Sequence, residues 1–277
     1  MLQLGLYSGG SLSRHENFPS QHIQARHVDV WCPPGYEGGA ARYPVLYTHD
    51  GQNLFEPDWS YLGIGWGIDE AIGRLMAEGA TGGAIVVGIW HRRPQRRLDY
   101  MPQKPLMPER ARPLLEQFVR ERGGRPESDA YLRFIVEELK PFVDAAYRTR
   151  PDRAHTLVMG SCMGGLISLY ALTEYPAIFG RAGCVSTHWP SGGSLLVDYF
   201  GSVLPRPGDH RIYFDYGTET QDAAYEPYQL RMDALLQAAG YQRGQDWITR
   251  KFVGAEHSER AWRARVDVPL RFLLGSA

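Results

Sequence analysis

The chain has 277 residues, 43% of them hydrophobic, and is therefore long enough to bury a large core. Its 30 Lys and Arg residues nearly balance 31 Asp and Glu residues, and a formal charge of −1 gives no general attraction to nucleic acid or anionic membranes. Three cysteines without C-x-x-C or Cys/His spacing argue against a disulfide framework or a zinc site. We see no signal peptide or membrane span, so the compartment stays open, cytoplasmic or secreted after processing, as does the oligomeric state.

The first half of the chain predicts strands separated by a helix. Residues 24–33 alternate between two faces, which predicts an antiparallel strand, and residues 43–47 and 82–90 are apolar runs typical of buried strands. A helical period over residues 66–78 lies between these two runs, so we expect them to form a parallel pair. Polar residues at 48–55 are either ordinary loop chemistry or the wall of a site, because ligands bind at the carboxyl ends of strands in α/β sheets.

The middle of the chain contains irregular segments and a long helix. The basic cluster at 91–100 is interpreted as a solvated loop rather than a nucleic-acid patch, because the overall charge is balanced. Residues 101–127, with a short helix over 113–122, and residues 190–209 predict two excursions that shape a site above the sheet. A strong helical pattern begins near Ser128, with Ser128 or Asp129 as its N-cap.

Residues 156–172 have the pattern strand, sharp turn, helix. Gly160 and Gly164 flank Cys162 with the spacing of the nucleophile elbow G-x-S-x-G, in which the glycines permit a strained turn that lifts the central residue above the sheet. A buried structural cysteine is the alternative, but packing alone needs no such turn. We therefore interpret Cys162 as a nucleophile.

The second half of the chain continues the alternation of strands and helices. Strands are predicted at 181–187, 211–215 and 247–253, each followed by an irregular or helical segment. The alternation contains no internal repeat. It predicts one α/β domain over residues 1–277, with a doubly wound, mostly parallel sheet flanked by helices.

An elbow nucleophile needs a base and an acid, in the chain order nucleophile, acid, base. His257 follows the last predicted strand and is interpreted as the base. Asp222 is the first candidate for the acid and Glu219 the second, although Asp222 could instead cap a helix and Glu219 could be a solvated turn charge. Three further histidines follow strands but in the wrong chain order: His49, His91 and His188.

The expected oxyanion hole consists of main-chain N–H groups. One belongs to Met163, directly after the nucleophile, and the other to Gln52, in the loop after a central strand. The N-terminus of the helix that starts at Met163 favours both an oxyanion and a thiolate at Cys162. No cofactor or metal is expected.

Four motifs together resemble an esterase family of α/β-hydrolases. They are YTHDGQNLF (47–55), MGSCMGGL (159–166), STHWP (186–190) and HSERAW (257–262). The family includes esterase D, enterochelin esterases, feruloyl and acetylxylan esterases and the antigen 85 mycolyltransferases, and the likeness extends from about residue 24 to residue 274.

The resemblance implies the α/β-hydrolase fold and an acyl-enzyme mechanism. It assigns the nucleophile to Cys162, the acid to the region of Asp222, the base to His257 and the oxyanion hole to the amides of Gln52 and Met163. The family pattern at the elbow is Gly-Ser-Ser-Met-Gly-Gly, so Cys162 replaces its second serine.

Three interpretations of the function follow. The first is a hydrolase of small-molecule carboxylic esters, including sugar or phenolic esters, in which Cys162 is either natural or an engineered replacement of serine. The second is an acyltransferase to a hydroxyl acceptor, with residues 101–126 forming the acceptor channel. The third is a non-catalytic descendant that only binds a ligand. None of them involves nucleic acid or a membrane.

Overall fold

A computed structural model describes residues 1–60 and 62–275 of the chain. The strands are β1 Leu2–Tyr7, β2 Gly10–Phe18, β3 Arg26–Cys32, β4 Val45–His49, β5 Ile85–Ile89, β6 Thr156–Ser161, β7 Arg181–Val185, β8 Arg211–Gly217 and β9 Trp247–Phe252. The helices are α1 Ile68–Ala77, α2 Arg96–Tyr100, α3 Arg112–Arg122, α4 Ser128–Arg133, α5 Lys140–Ala146, α6 Met163–Glu174, α7 Ser194–Val203, α8 Glu226–Ala238, α9 Glu259–Arg263 and α10 Asp267–Leu274.

The nine strands form one sheet in the order β1-β2-β3-β5-β4-β6-β7-β8-β9. All neighbours from β5 to β9 are parallel, whereas β1, β2 and β3 are antiparallel to their neighbours. The predicted doubly wound, mostly parallel sheet with flanking helices is confirmed. So are the antiparallel strand at 26–32 and the parallel pair β4 and β5.

The β1–β2 hairpin extends the sheet at one edge and was not predicted. Leu2 and Leu6 of β1 are exposed, and no residue of this short strand is buried, so its apolar residues do not mark a face directed to the core. The central strands differ: every residue of β4, β5 and β6 is buried. Strands covered on both faces are apolar along their whole length, which explains why these runs were visible in the sequence.

The long helix before β6 starts where expected but is capped differently. It runs from Ser128 to Ala146 with a π-helical stretch, Phe134–Leu139, between α4 and α5. Its N-cap is Glu127, so the expectation of Ser128 or Asp129 is wrong. Asp129 instead accepts a hydrogen bond from the Tyr170 hydroxyl of α6 at 2.6 Å. The carboxylate of Asp129, which was one candidate to cap the helix, therefore forms a contact between two helices instead.

The loops that follow the parallel strands lie together at the carboxyl edge of the sheet. Helix α6 begins at this edge directly after β6, and its residues 163–173 are all buried. The predicted short helix at 113–122 is present as α3, and the segment 190–209 contains α7. Within the described residues, no helix has both the length and the apolar character needed to cross a bilayer.

Candidate active site

Cys162 occupies a strained turn between β6 and α6. Its φ of 60° and ψ of −122° lie in a region that L-residues rarely adopt, a strain that costs on the order of 1–3 kcal/mol. Gly160 and Gly164 permit the turn because a Cβ on Gly160 would lie 2.8 Å from the carbonyl carbon of Gly164. This geometry is that of the predicted elbow.

His257 and Asp222 are brought together as predicted. His257 Nδ1 lies 2.6 Å from Asp222 Oδ1, and both side chains are almost completely buried. Glu219 is exposed, and its carboxylate accepts a hydrogen bond from the Thr218 hydroxyl at 3.3 Å, whereas Nδ1 of His257 pairs with Asp222. Asp222 does not cap the following helix either, because the N-cap of α8 is Tyr225. The capping alternative for Asp222 is therefore wrong.

A buried network holds Asp222 in place. The Ser186 hydroxyl donates to Asp222 Oδ2 at 2.6 Å and accepts from Trp262 Nε1 at 3.0 Å and from Arg265 Nη2 at 2.9 Å. The same guanidinium pairs with Asp215 at 3.1 Å. One donor and two acceptor positions of the Ser186 hydroxyl are thereby satisfied. The sequence analysis did not identify this network.

The network and His257 together keep the Asp222 carboxylate ionised. Burial raises the pKa of Asp222, but hydrogen bonds from His257, from Ser186 and from the main-chain N–H of Gly217 outweigh it and leave that pKa below its ordinary value. An ionised Asp222 fixes Nδ1 of His257 as the protonated nitrogen and leaves Nε2 free to face the nucleophile.

The pKa values of Cys162 and His257 are shifted in opposite directions. Burial raises the pKa of the Cys162 thiol, but hydrogen bonds from His188 and His257 and the positive charges of His257 and Arg96 hold that pKa well below its ordinary value. Burial lowers the pKa of His257, but Asp222 and Cys162 outweigh it and raise that pKa to about 9. The electrostatics of the site therefore favour a thiolate paired with an imidazolium.

His188 was set aside on chain order, yet the sheet places it beside the elbow. The Cys162 N–H donates to the Val185 carbonyl at 3.0 Å, and the His188 N–H donates to the Cys162 carbonyl at 3.1 Å. The Nδ1 atom of His188 forms a hydrogen bond with the Tyr225 hydroxyl. These contacts place the ring of His188 near that of His257, with 6.3 Å between the two ring centroids.

The two candidate oxyanion donors lie in segments that pack together. Met163 is the first residue of α6, and Gln52 lies in the turn Gly51–Asn53. A Cβ on Gly164 would lie 3.5 Å from His49 Cβ and 3.6 Å from Asp50 Oδ2, so the residues that lead into the Gln52 turn pack on the first turn of α6. In the described residues neither N–H has a main-chain acceptor, and both are available to a ligand.

An ion pair fixes the loop that precedes Gln52. Asp50, in a left-handed conformation with φ of 58°, accepts two hydrogen bonds from Arg96 at 2.7 and 2.6 Å. Burial raises the pKa of Asp50, but the Arg96 charge outweighs it and lowers that pKa. The side-chain oxygen of Gln52 accepts a hydrogen bond from the main-chain N–H of His91 at 3.3 Å. These contacts immobilise the main chain around the candidate hole.

Two cavities that share part of their lining lie beside the site. One, of about 510 Å³, is lined by Asn53, His91 and Glu259, and the other, of about 240 Å³, by His188 and Pro190. Residues of α3 line the second cavity, and the two excursions thus reach the site region. Among the described residues, no group of three or more His, Cys, Asp or Glu side chains is arranged to hold a metal ion.

Comparisons with known proteins find relatives in both sequence and structure. The Ferri-bacillibactin esterase BesA of Bacillus subtilis (strain 168) is 30% identical over 207 residues, which cover 70% of this chain and 63% of that protein. A ferulic acid esterase superposes with a TM-score of 0.68 at 17% identity, over 96% of this chain and 98% of that one. An IroE-like serine hydrolase from Shewanella oneidensis superposes with a TM-score of 0.69 at 17% identity, over 96% and 80% of the two chains.

The two structural neighbours share the α/β-hydrolase fold with this chain. The family model described as "Putative esterase" matches residues 21–273, which is almost the whole chain. The chain therefore belongs to this esterase family and is an esterase.

Proposed function

We propose that the protein hydrolyses small-molecule carboxylic esters through a thioester on Cys162. The observation that carries the proposal is the 2.6 Å contact between His257 and the buried Asp222, in a site where the pKa of the Cys162 thiol is lowered. A nucleophile, a base and an acid at a strained elbow are the elements that acyl transfer requires. By their names, BesA is an esterase for ferri-bacillibactin and the structural neighbour is a ferulic acid esterase, which supports an ester as the substrate.

In the acylation step, the Cys162 thiolate attacks the ester carbonyl and a carbon–sulfur bond forms. The N–H groups of Gln52 and Met163 and the N-terminus of α6 stabilise the oxyanion. The carbon–oxygen bond then breaks, and the alkoxide takes the Nε2 proton of His257 and leaves as the alcohol. His257 is neutral after this step.

In the deacylation step, water gives one proton to His257 Nε2 and its hydroxide attacks the thioester. The carbon–sulfur bond breaks, the carboxylic acid leaves, and the thiolate and imidazolium are restored. Asp222 keeps its charge throughout and stabilises the imidazolium in both steps.

The test is hydrolysis of 4-nitrophenyl acetate, followed by release of nitrophenol and by intact mass of the protein. We expect an acetyl adduct that disappears in Cys162→Ala, and an acylation rate lowered on the order of 10⁴-fold in His257→Ala. His155→Ala is the matched control, because this histidine pairs with Asp152 at the surface. Hydrolysis that persists in Cys162→Ala would exclude the thioester.

The same assay separates the alternatives. Addition of an alcohol acceptor that diverts the acetyl group from water to a new ester would favour an acyltransferase. Absence of both adduct and turnover with any simple ester would favour a ligand-binding descendant. Under the proposed function, water remains the acceptor and the acid is the main product.

A further inference from the structure

Among the described residues, Arg97 is a cation without a counter-ion, and it lines the two cavities beside the site. It is partly buried in α2, and among the described residues no carboxylate lies within ion-pair distance of it. The adjacent Arg96, by contrast, is neutralised by Asp50. Burial and the positive charge of Arg122 lower the pKa of Arg97, while the charge of Cys162 acts in the opposite direction. Arg97 lines one cavity together with Arg122 and with His188, whose main-chain N–H donates to the Cys162 carbonyl.

Arg97 and Arg122 line both cavities that flank the site. They are shared by the cavity of about 510 Å³ and the cavity of about 240 Å³, and they stand where the two adjoin. Of the acidic residues here, Glu121 lies 3.8 Å from Arg122 and accepts a hydrogen bond from Gln117. Glu259 lies in the larger cavity, and burial raises its pKa. The cationic charge at Arg97 is therefore not offset within the described part of the protein.

The basic cluster at 91–100 is a solvated loop only in part, because residues 92–94 are exposed whereas residues 96–100 form α2. Arg96 is paired with Asp50, and Arg97 lines a cavity that His188 also lines. A partly buried guanidinium without a partner loses hydration, and a bound anion would offset that loss. A carboxylate matches a guanidinium best because two N–H groups of the fork donate to its two oxygens.

We propose that Arg97, assisted by Arg122, binds a carboxylate of the substrate, so that the preferred substrates are esters that carry an anionic group near the scissile bond. The inference rests on the proposed function and specifies its substrate class. The carboxylate belongs either to the acyl part or to the alcohol part, because the guanidinium lies where the two cavities meet.

The experiment compares two pairs of esters. For the acyl part, the pair is 4-nitrophenyl hemiglutarate and 4-nitrophenyl valerate. For the alcohol part, it is 4-acetoxybenzoate and 4-methylphenyl acetate. The readout is the ratio of kcat/KM for the charged and the neutral ester, corrected for their rates of alkaline hydrolysis. We expect Arg97→Gln to lower this ratio about 10- to 100-fold for one pair, which is the range for a hydrogen bond to a charged group.

Two further variants sharpen the test. Arg97→Lys keeps the charge and loses the fork, so it should lower the ratio less than Arg97→Gln does. Arg120→Gln is the matched control, because it is on the same helix as Arg122 but lines a different cavity. Thermal unfolding establishes that each variant is folded.

An unchanged ratio in Arg97→Gln for both pairs would overturn the inference. Failure of the proposed function is a separate outcome. If the proposed function is wrong, hydrolysis of the neutral esters will not depend on Cys162, whatever Arg97→Gln does to the ratio.

Discussion

The reactivity of Cys162 should be almost independent of pH between 6 and 8. His188, His257 and Arg96 lower the pKa of its thiol, and the pKa of His257 is raised to about 9. A raised histidine pKa means that the imidazolium is present throughout this range and begins to be lost only as the pH approaches 9. Over the same range of pH, the Cys162 thiolate therefore keeps its imidazolium partner.

An ordinary thiol behaves differently. With a pKa near 8.5, its thiolate fraction rises from about 0.3% at pH 6 to about 24% at pH 8, an increase of about 80-fold. Alkylation follows the thiolate, so an unpaired cysteine would react about 80 times faster at the higher pH. We expect Cys162 to react at nearly the same rate at both.

The assay is alkylation by iodoacetamide at pH 6, 7 and 8, followed by intact mass. Cys162→Ala measures the background from Cys32 and Cys184, which are buried and whose pKa values burial raises. His257→Ala removes the imidazolium beside Cys162, so the alkylation rate of Cys162 should then rise with pH. A rise of about 80-fold in the unaltered protein would refute the ion pair.

Three further outcomes are expected. Cys162→Ser should hydrolyse 4-nitrophenyl acetate about 10²-fold more slowly or worse, and its rate should rise with pH where a histidine loses its proton, because serine needs a neutral base. Asp222→Asn should lower kcat on the order of 10⁴-fold, whereas Glu219→Gln, at an exposed position, should leave kcat close to its original value. Arg265→Met should reduce the free energy of unfolding in urea by about 3–5 kcal/mol, because Asp215 would remain as a buried charge without its partner.

Features that depend on a few adjacent residues could be predicted from the sequence. The elbow is one, since the spacing of Gly160 and Gly164 around Cys162 corresponds to a single backbone geometry. The strands β4, β5 and β6 are another, because burial on both faces leaves an uninterrupted apolar run. The pairing of His257 with Asp222 followed from the chain order of such sites.

Features that depend on which strands are neighbours could not be predicted in this way. His188 lies next to the elbow because β7 is the neighbour of β6 in the sheet, and chain order, the criterion applied to the histidines, does not select it. Arg265 lies 79 residues beyond its partner Ser186, in the segment between α9 and α10. The environment of Arg96 likewise depends on Asp50, 46 residues earlier.

The second imidazole bears on whether the site is adapted to sulfur or to oxygen. A serine hydroxyl stays neutral until it attacks, so it needs one base and gains little from a further donor in the resting state. A thiolate is charged in the resting state and is stabilised by every donor that reaches it. His188 forms a hydrogen bond with the Tyr225 hydroxyl and donates its main-chain N–H to the Cys162 carbonyl. Under the proposed function, an imidazole in this position would stabilise a resting thiolate at position 162 more than a neutral hydroxyl.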